Sequence, residues 1–108
     1  MSELKFDDQN FNQEVLSGGV ALVDFYADWC GPCRMQGPIV EKLAEEYKDK
    51  DVKIGKLDVD NSPMTAQKYQ VMSIPTIIIF KDGNPAETLV GVQDKNVLAQ
   101  KLDSLMTA

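Results

Sequence analysis

The chain has no histidine, only two cysteines and a single tryptophan among its 108 residues. Without histidine, the usual mixed zinc ligand sets and the commonest neutral-pH acid–base side chain are missing. Two cysteines cannot complete a structural zinc site, which normally takes four ligands, and carboxylates rarely fill the gap. Positive charge is also scarce: 11 Lys and Arg stand against 17 Asp and Glu, a formal net charge of −6. That balance argues against nucleic acid or an anionic membrane as the main partner, and it favours solubility. No apolar run approaches a membrane span, and Met1-Ser2-Glu3-Leu4-Lys5 lacks the apolar core of a secretory signal. A cytoplasmic location is therefore expected, and a stable structural disulfide would be unusual there.

What is present fits one domain, residues 1–108, with no linker, internal repeat or low-complexity segment. A hydrophobic share of 44% is enough for one ordinary core without covalent staples. Short strand patterns alternate with helical ones, the signature of an α/β domain. Leu4 to Phe6 reads as an edge strand. Asp7 or Asp8 can cap a first helix carrying Phe11, Val15 and Leu16, which Gly18-Gly19 ends. Val20 to Ala27 is nearly continuous apolar sequence, as in a central strand buried on both faces. A long helix follows, with Val40, Leu43, Ala44 and Tyr47 on one face and Pro38 inside it. Val52 to Val59 reads as a second buried strand. Ser62-Pro63 looks like an N-cap and first helical position for a short helix to about Tyr69. Thr76 to Phe80, an Asp82-Gly83 turn and Thr88 to Val90 form a hairpin. Asp94 can cap a last helix bearing Leu98, Leu102, Leu105 and Met106. The order is βαβαβαββα.

Both cysteines fall in Trp29-Cys30-Gly31-Pro32-Cys33, between a buried strand and a helix start. A pair at this spacing can close a small disulfide ring and reopen it. The helix dipole and free backbone N–H groups at a helix start favour the first thiolate, the nucleophile of disulfide exchange. The second thiol is near enough to finish the exchange. A purely structural disulfide is the weaker reading, because so short a loop removes little unfolded-state entropy. Asp24 is the odd residue of its strand: a carboxylate there is costly unless paired or protonated, and desolvation should raise its pKa. Such an acid is suited to exchange protons with the cysteine pair. Lys56 shares a strand face with Val52 and Ile54, and can approach Asp24 if the two strands are neighbours. Pro75 should mark a strand start. Asp58, Asp60 and Asn61 resemble a calcium loop only briefly, since Pro63 and Tyr69 stand where glycine and glutamate are needed. Met35, Met64, Met72 and Met106 form no spaced cluster and read as core or patch filler.

Over essentially its whole length the sequence resembles the thioredoxin family. The matching residues are Asp24-Phe25-Tyr26-Ala27, Trp29-Cys30-Gly31-Pro32-Cys33, Pro38, Lys56, Ile74-Pro75-Thr76, Phe80, Gly83 and Gly91. The resemblance implies a thioredoxin fold: a central five-stranded mixed sheet, strand order first–third–second–fourth–fifth, with helices on both faces. It implies a redox disulfide between Cys30 and Cys33, with Cys30 the exposed attacking cysteine and Cys33 the buried resolving one. Asp24 would exchange protons with Cys33 and Lys56 would tune it. The Ile74–Pro75 bond would be cis. Trp29, Gly31, Pro32, Ile74, Pro75, Gly91 and Val92 would line an apolar patch that receives client proteins. The implied activity is protein-disulfide reduction by a monomer with no cofactor or metal of its own, recharged by a flavin- and NADPH-dependent thioredoxin reductase. The Gly31-Pro32 dipeptide has no histidine to hold a thiolate, so the couple should be reducing. Asp28, Gly37 and Gly55 depart from the commonest family pattern; Gly37 is expected to loosen its helix and Gly55 to weaken its strand.

Overall fold

A computed structural model describes residues 2–107; Met1 and Ala108, the ends of the expected 1–108 domain, lie outside the described residues. The elements run β1 (Leu4–Phe6), α1 (Phe11–Glu14), β2 (Val20–Tyr26), α2 (Gly31–Glu46), β3 (Val52–Asp58), α3 (Pro63–Lys68), β4 (Thr76–Lys81), β5 (Asn84–Val90) and α4 (Lys95–Thr107). They build one five-stranded sheet of order β1-β3-β2-β4-β5. β1 and β2 both run parallel to β3, while β4 is antiparallel to its neighbours β2 and β5. This is the mixed α/β thioredoxin fold expected from the sequence.

Strand alternation decides which residues go to which face. Val20 and Leu22 join Ile54, Ile77 and Ile79 under α2 and α4, against Val40, Leu43, Leu98 and Leu102. Ala21, Val23 and Phe25 face the other way, into a cluster with Phe11, Val15, Leu57 and Phe80 beneath α1 and α3. Because β2 has a core on each side, its continuous apolar run is explained. Asp24 has the parity of Val20 and Leu22, so it points to the α2 side.

Four local expectations change. Neither early aspartate caps α1 from the expected position: Asn10 is the N-cap residue, and Asp7 Oδ1 accepts from the N–H groups of Gln9 (2.9 Å) and Asn10 (2.8 Å) in an Asx-type turn. Asp8 reaches across the fold and caps α3, its carboxylate accepting from the Thr65 N–H (2.8 Å), the Thr65 hydroxyl (2.7 Å) and the Met64 N–H (3.2 Å). Ser62, at the N-cap position, makes no side-chain cap and instead accepts from the Asp8 N–H at 3.2 Å. β5 starts already at Asn84, because Pro85 is tolerated on an edge strand beside a register shift at Ile79/Phe80. Gly55 does not loosen β3. A Cβ there would lie 2.6 Å from both Leu4 O and the Phe6 ring, so the missing side chain is what lets β1 dock. The Asp82-Gly83 turn is as expected, with φ of 51° and 85° that suit a tight hairpin.

Candidate active site

β2 ends at Tyr26, and the chain turns so that the Cys30 N–H donates to Ala27 O at 3.2 Å. Cys30 is extended (φ −88°, ψ 115°) and occupies the N-cap position of α2. Its Sγ accepts from the Cys33 N–H at 3.2 Å. Gly31 and Pro32 fill the exposed first turn, where a missing N–H costs nothing. The two cysteines form a disulfide with Cα atoms 5.3 Å apart. The ring lies at the carboxyl end of a central strand, where open α/β sheets usually place their sites. Cys30 is 4% exposed and Cys33 5%, which corrects the expectation of an exposed Cys30. In the oxidised ring its sulfur is turned inward, 3.7 Å from Ile74 O, and both cysteines pack on Ala27.

Beneath Cys33 lies Asp24, 1% exposed. Parallel pairing sets Asp24 opposite Lys56 on β3, and both line a cavity of about 240 Å³ together with Cys33, Tyr26 and Pro38. The Lys56 ammonium sits over the Tyr26 ring, 5.3 Å from its centroid. Asp24 Oδ1 is buried with no hydrogen-bond partner. Burial, with a smaller contribution from the Glu3 charge, pushes the Asp24 pKa from 3.8 up to about 7, and Lys56 pulls the other way. The sequence-based reading of Asp24 as a buried acid beside Lys56 therefore matches the geometry.

The expected client-binding residues surround the ring. Ile74 is half-buried against the cysteines, and the Ile74–Pro75 bond is cis. Pro75 itself is buried, and its carbonyl accepts from the Gly91 N–H at 2.9 Å. Gly91 has φ 92°, a conformation open to glycine. Val92 is exposed beside it, and Trp29 is 68% exposed, held by its Nε1–H donating to Asp60 at 2.7 Å. Met35, Met64 and Met72 are surface residues, and Met106 alone of the four considered packs on the core.

One residue of the site escaped the sequence reading. Gln36 is 0% exposed, and its amide clasps the backbone of Gln93: Oε1 accepts from the Gln93 N–H at 2.7 Å and Nε2 donates to Gln93 O at 3.1 Å. It thereby ties the Gly91–Val92 loop to the helix that carries the cysteines. The signal was present, because Gln36 lies three residues after Cys33 and four before Val40, on the same buried stripe.

Among the described residues, no group of three or more His, Cys, Asp or Glu side chains is placed to hold a metal ion. No helix there is long and apolar enough to cross a membrane. The thioredoxin family model matches residues 2–104. The chain is 54% identical over 103 residues to a thioredoxin of Staphylococcus aureus, covering 95% of this chain and 97% of the relative. It is 53% identical, with the same coverage, to a thioredoxin of Staphylococcus haemolyticus. The chain belongs to the thioredoxin family, and it is a thiol–disulfide oxidoreductase that reduces disulfides in client proteins.

Proposed function

We propose that Cys30 is the attacking nucleophile and Cys33 the resolving thiol. The observation that carries this reading is the Cys33 N–H directed at Cys30 Sγ from the N-cap position of α2. After reduction, that N–H and the helix dipole favour negative charge on Cys30 over Cys33. The Cys30 thiolate attacks one sulfur of a client disulfide, and the client's other sulfur leaves as a thiolate and takes a proton. Cys33 then gives its proton to Asp24, and its thiolate attacks Cys30 Sγ. The mixed disulfide breaks, the second client thiolate leaves, and the Cys30–Cys33 ring remains. Two electrons pass from the dithiol to the client. Asp24 suits the acceptor role because it shares a cavity with Cys33 and titrates near neutrality. Lys56 keeps its ionised form accessible.

Trp29, Gly31, Pro32, Ile74, Pro75, Gly91 and Val92 form the receiving surface. An extended client segment pairs there with free backbone groups next to Pro75, a form of β-augmentation. The oxidised ring is recharged by a thioredoxin reductase with flavin and NADPH. The chain works as one domain and a monomer in the cytoplasm, without a cofactor of its own.

Trapping with the cysteine variants tests the roles. Cys33→Ser should attack and then stall as a mixed disulfide with client proteins. Cys30→Ser should capture none, since an alcohol is not ionised at neutral pH. Normal client release by Cys33→Ser would reverse the assignment.

A further inference from the structure

Glu3 immediately precedes β1, two residues before Lys5, so the two share the sheet face that α2 covers. Lys5 pairs with Lys56, which pairs with Asp24 on its other side. Lys56 thus stands between an acid at the sheet edge and an acid at the redox ring. It also lines two cavities of about 240 Å³ each: one holds Asp24 and Cys33, the other Glu3, Lys5, Glu41 and Glu45. Among the described residues, the buried side-chain polar atoms left without a hydrogen-bond partner are Glu3 Oε2 and Asp24 Oδ1. Two desolvated carboxylate oxygens, one on each side, therefore flank one half-buried ammonium.

We propose that Glu3 is a positioning residue for the exchange reaction: its carboxylate, across Lys56 from the redox ring, acts on Asp24 as a like charge and so sets the pH at which Asp24 takes its proton. The inference rests on the reading of Asp24 as the proton acceptor for Cys33. The other groups in play are accounted for by position. Around Asp24 these are Tyr26 from β2, Cys33 and Arg34 from α2, and Asp28 from the turn; β4 presents only Ile77 opposite it. Around Glu3 these are Lys5 from β1 and Glu41 and Glu45 from α2. Burial raises the proton affinity of Glu3 and Glu41 adds to this, while Lys56 and Lys5 oppose it. Once ionised, Glu3 raises that of Asp24. With Asp24 buried and Glu3 half-buried, salt screens this coupling less than it screens a pair of surface charges.

The test is a carboxyl-carbon NMR titration of Asp24 in the reduced protein, paired with the pH profile of mixed-disulfide resolution. Glu3→Gln should move the Asp24 midpoint toward acid by about half a pH unit or more. The resolution profile should move with it while its plateau rate stays the same. In a Lys56→Met background the displacement caused by Glu3→Gln should persist, because the like-charge effect does not pass through the ammonium. An unmoved midpoint in Glu3→Gln overturns the proposal, as does an equal displacement in Glu41→Gln or one that vanishes with Lys56→Met. A midpoint that moves while the resolution profile stays fixed supports the coupling and removes Asp24 from proton transfer, so the two readings fail separately.

Discussion

A carboxylic acid whose proton affinity is raised by folding works against the fold once it ionises. For Asp24 the unfolded pKa is near 3.9 and the folded one about 7. Between those values the folded chain holds the extra proton, so stability falls as pH rises through the window and the loss is complete above it. Asp24→Asn should therefore gain on the order of 1–3 kcal/mol at pH 8 and almost nothing near pH 4, read from urea melts. The same variant should resolve mixed disulfides slowly at neutral pH and recover as the solution becomes more alkaline. A destabilised variant with normal kinetics would make Asp24 a structural residue only. Gln36 carries a different expectation. Gln36→Met fills the volume but leaves the Gln93 N–H and C=O unpaired, at about 1–3 kcal/mol. With the Gly91–Val92 loop released, KM for a protein disulfide should rise several-fold while turnover of a small aromatic disulfide holds; equal KM values would limit Gln36 to packing. Asp24 was legible in the sequence because a charge interrupts an otherwise apolar strand. Gln36 was not, since glutamine in a helix ordinarily faces water and only its spacing from Cys33 and Val40 says otherwise.

At the scale of elements, two of the departures, the capping of α3 and the empty position in β3, share one cause: a partner distant in sequence. Every strand and helix was readable in kind and order, although α1 stops at Glu14 rather than at Gly18-Gly19 and β5 begins at Asn84 rather than Thr88. Nothing local could show that Asp8 serves a helix 57 residues away, or that Phe6 needs an empty position in β3. Gly55→Ala should cost roughly 1–3 kcal/mol in denaturant melts, because the clash is with the Leu4 backbone as well as a ring and β1 must shift to relieve it. Substitution without loss of stability would mean that β1 has room to retreat. Gly37 is the opposite case. A Cβ there meets nothing within 4 Å, so its cost is only the helix propensity already expected from the sequence.

For the whole molecule, the alternation of elements indicated an α/β sheet, while the strand order came from resemblance to a family. Residue patterns alone do not say which buried strand lies beside which; that is decided by pairings between segments far apart in the chain. One pair did carry the information in advance. Lys56, on the face it shares with Val52 and Ile54, and Asp24, the one charge in β2, are best satisfied side by side, and β2 and β3 meet with Asp24 opposite Lys56. The acid at the sheet edge stayed hidden because Glu3, in a short polar N-terminal segment, resembles any solvated residue until α2 is seen to cover it.

The placement of the cysteines three residues apart at the head of a helix also governs how long a client stays attached. Their Cα atoms are 5.3 Å apart and held there by α2. As the proposed resolving thiol, Cys33 would confront the mixed disulfide at an effective concentration far above that of any thiol diffusing in from solution. On the assignment of Cys33 proposed above, the covalent complex should be a brief stop whose residence time follows proton removal from Cys33 rather than encounter. Clients should then leave with both sulfurs reduced, before a third thiol can intercept them.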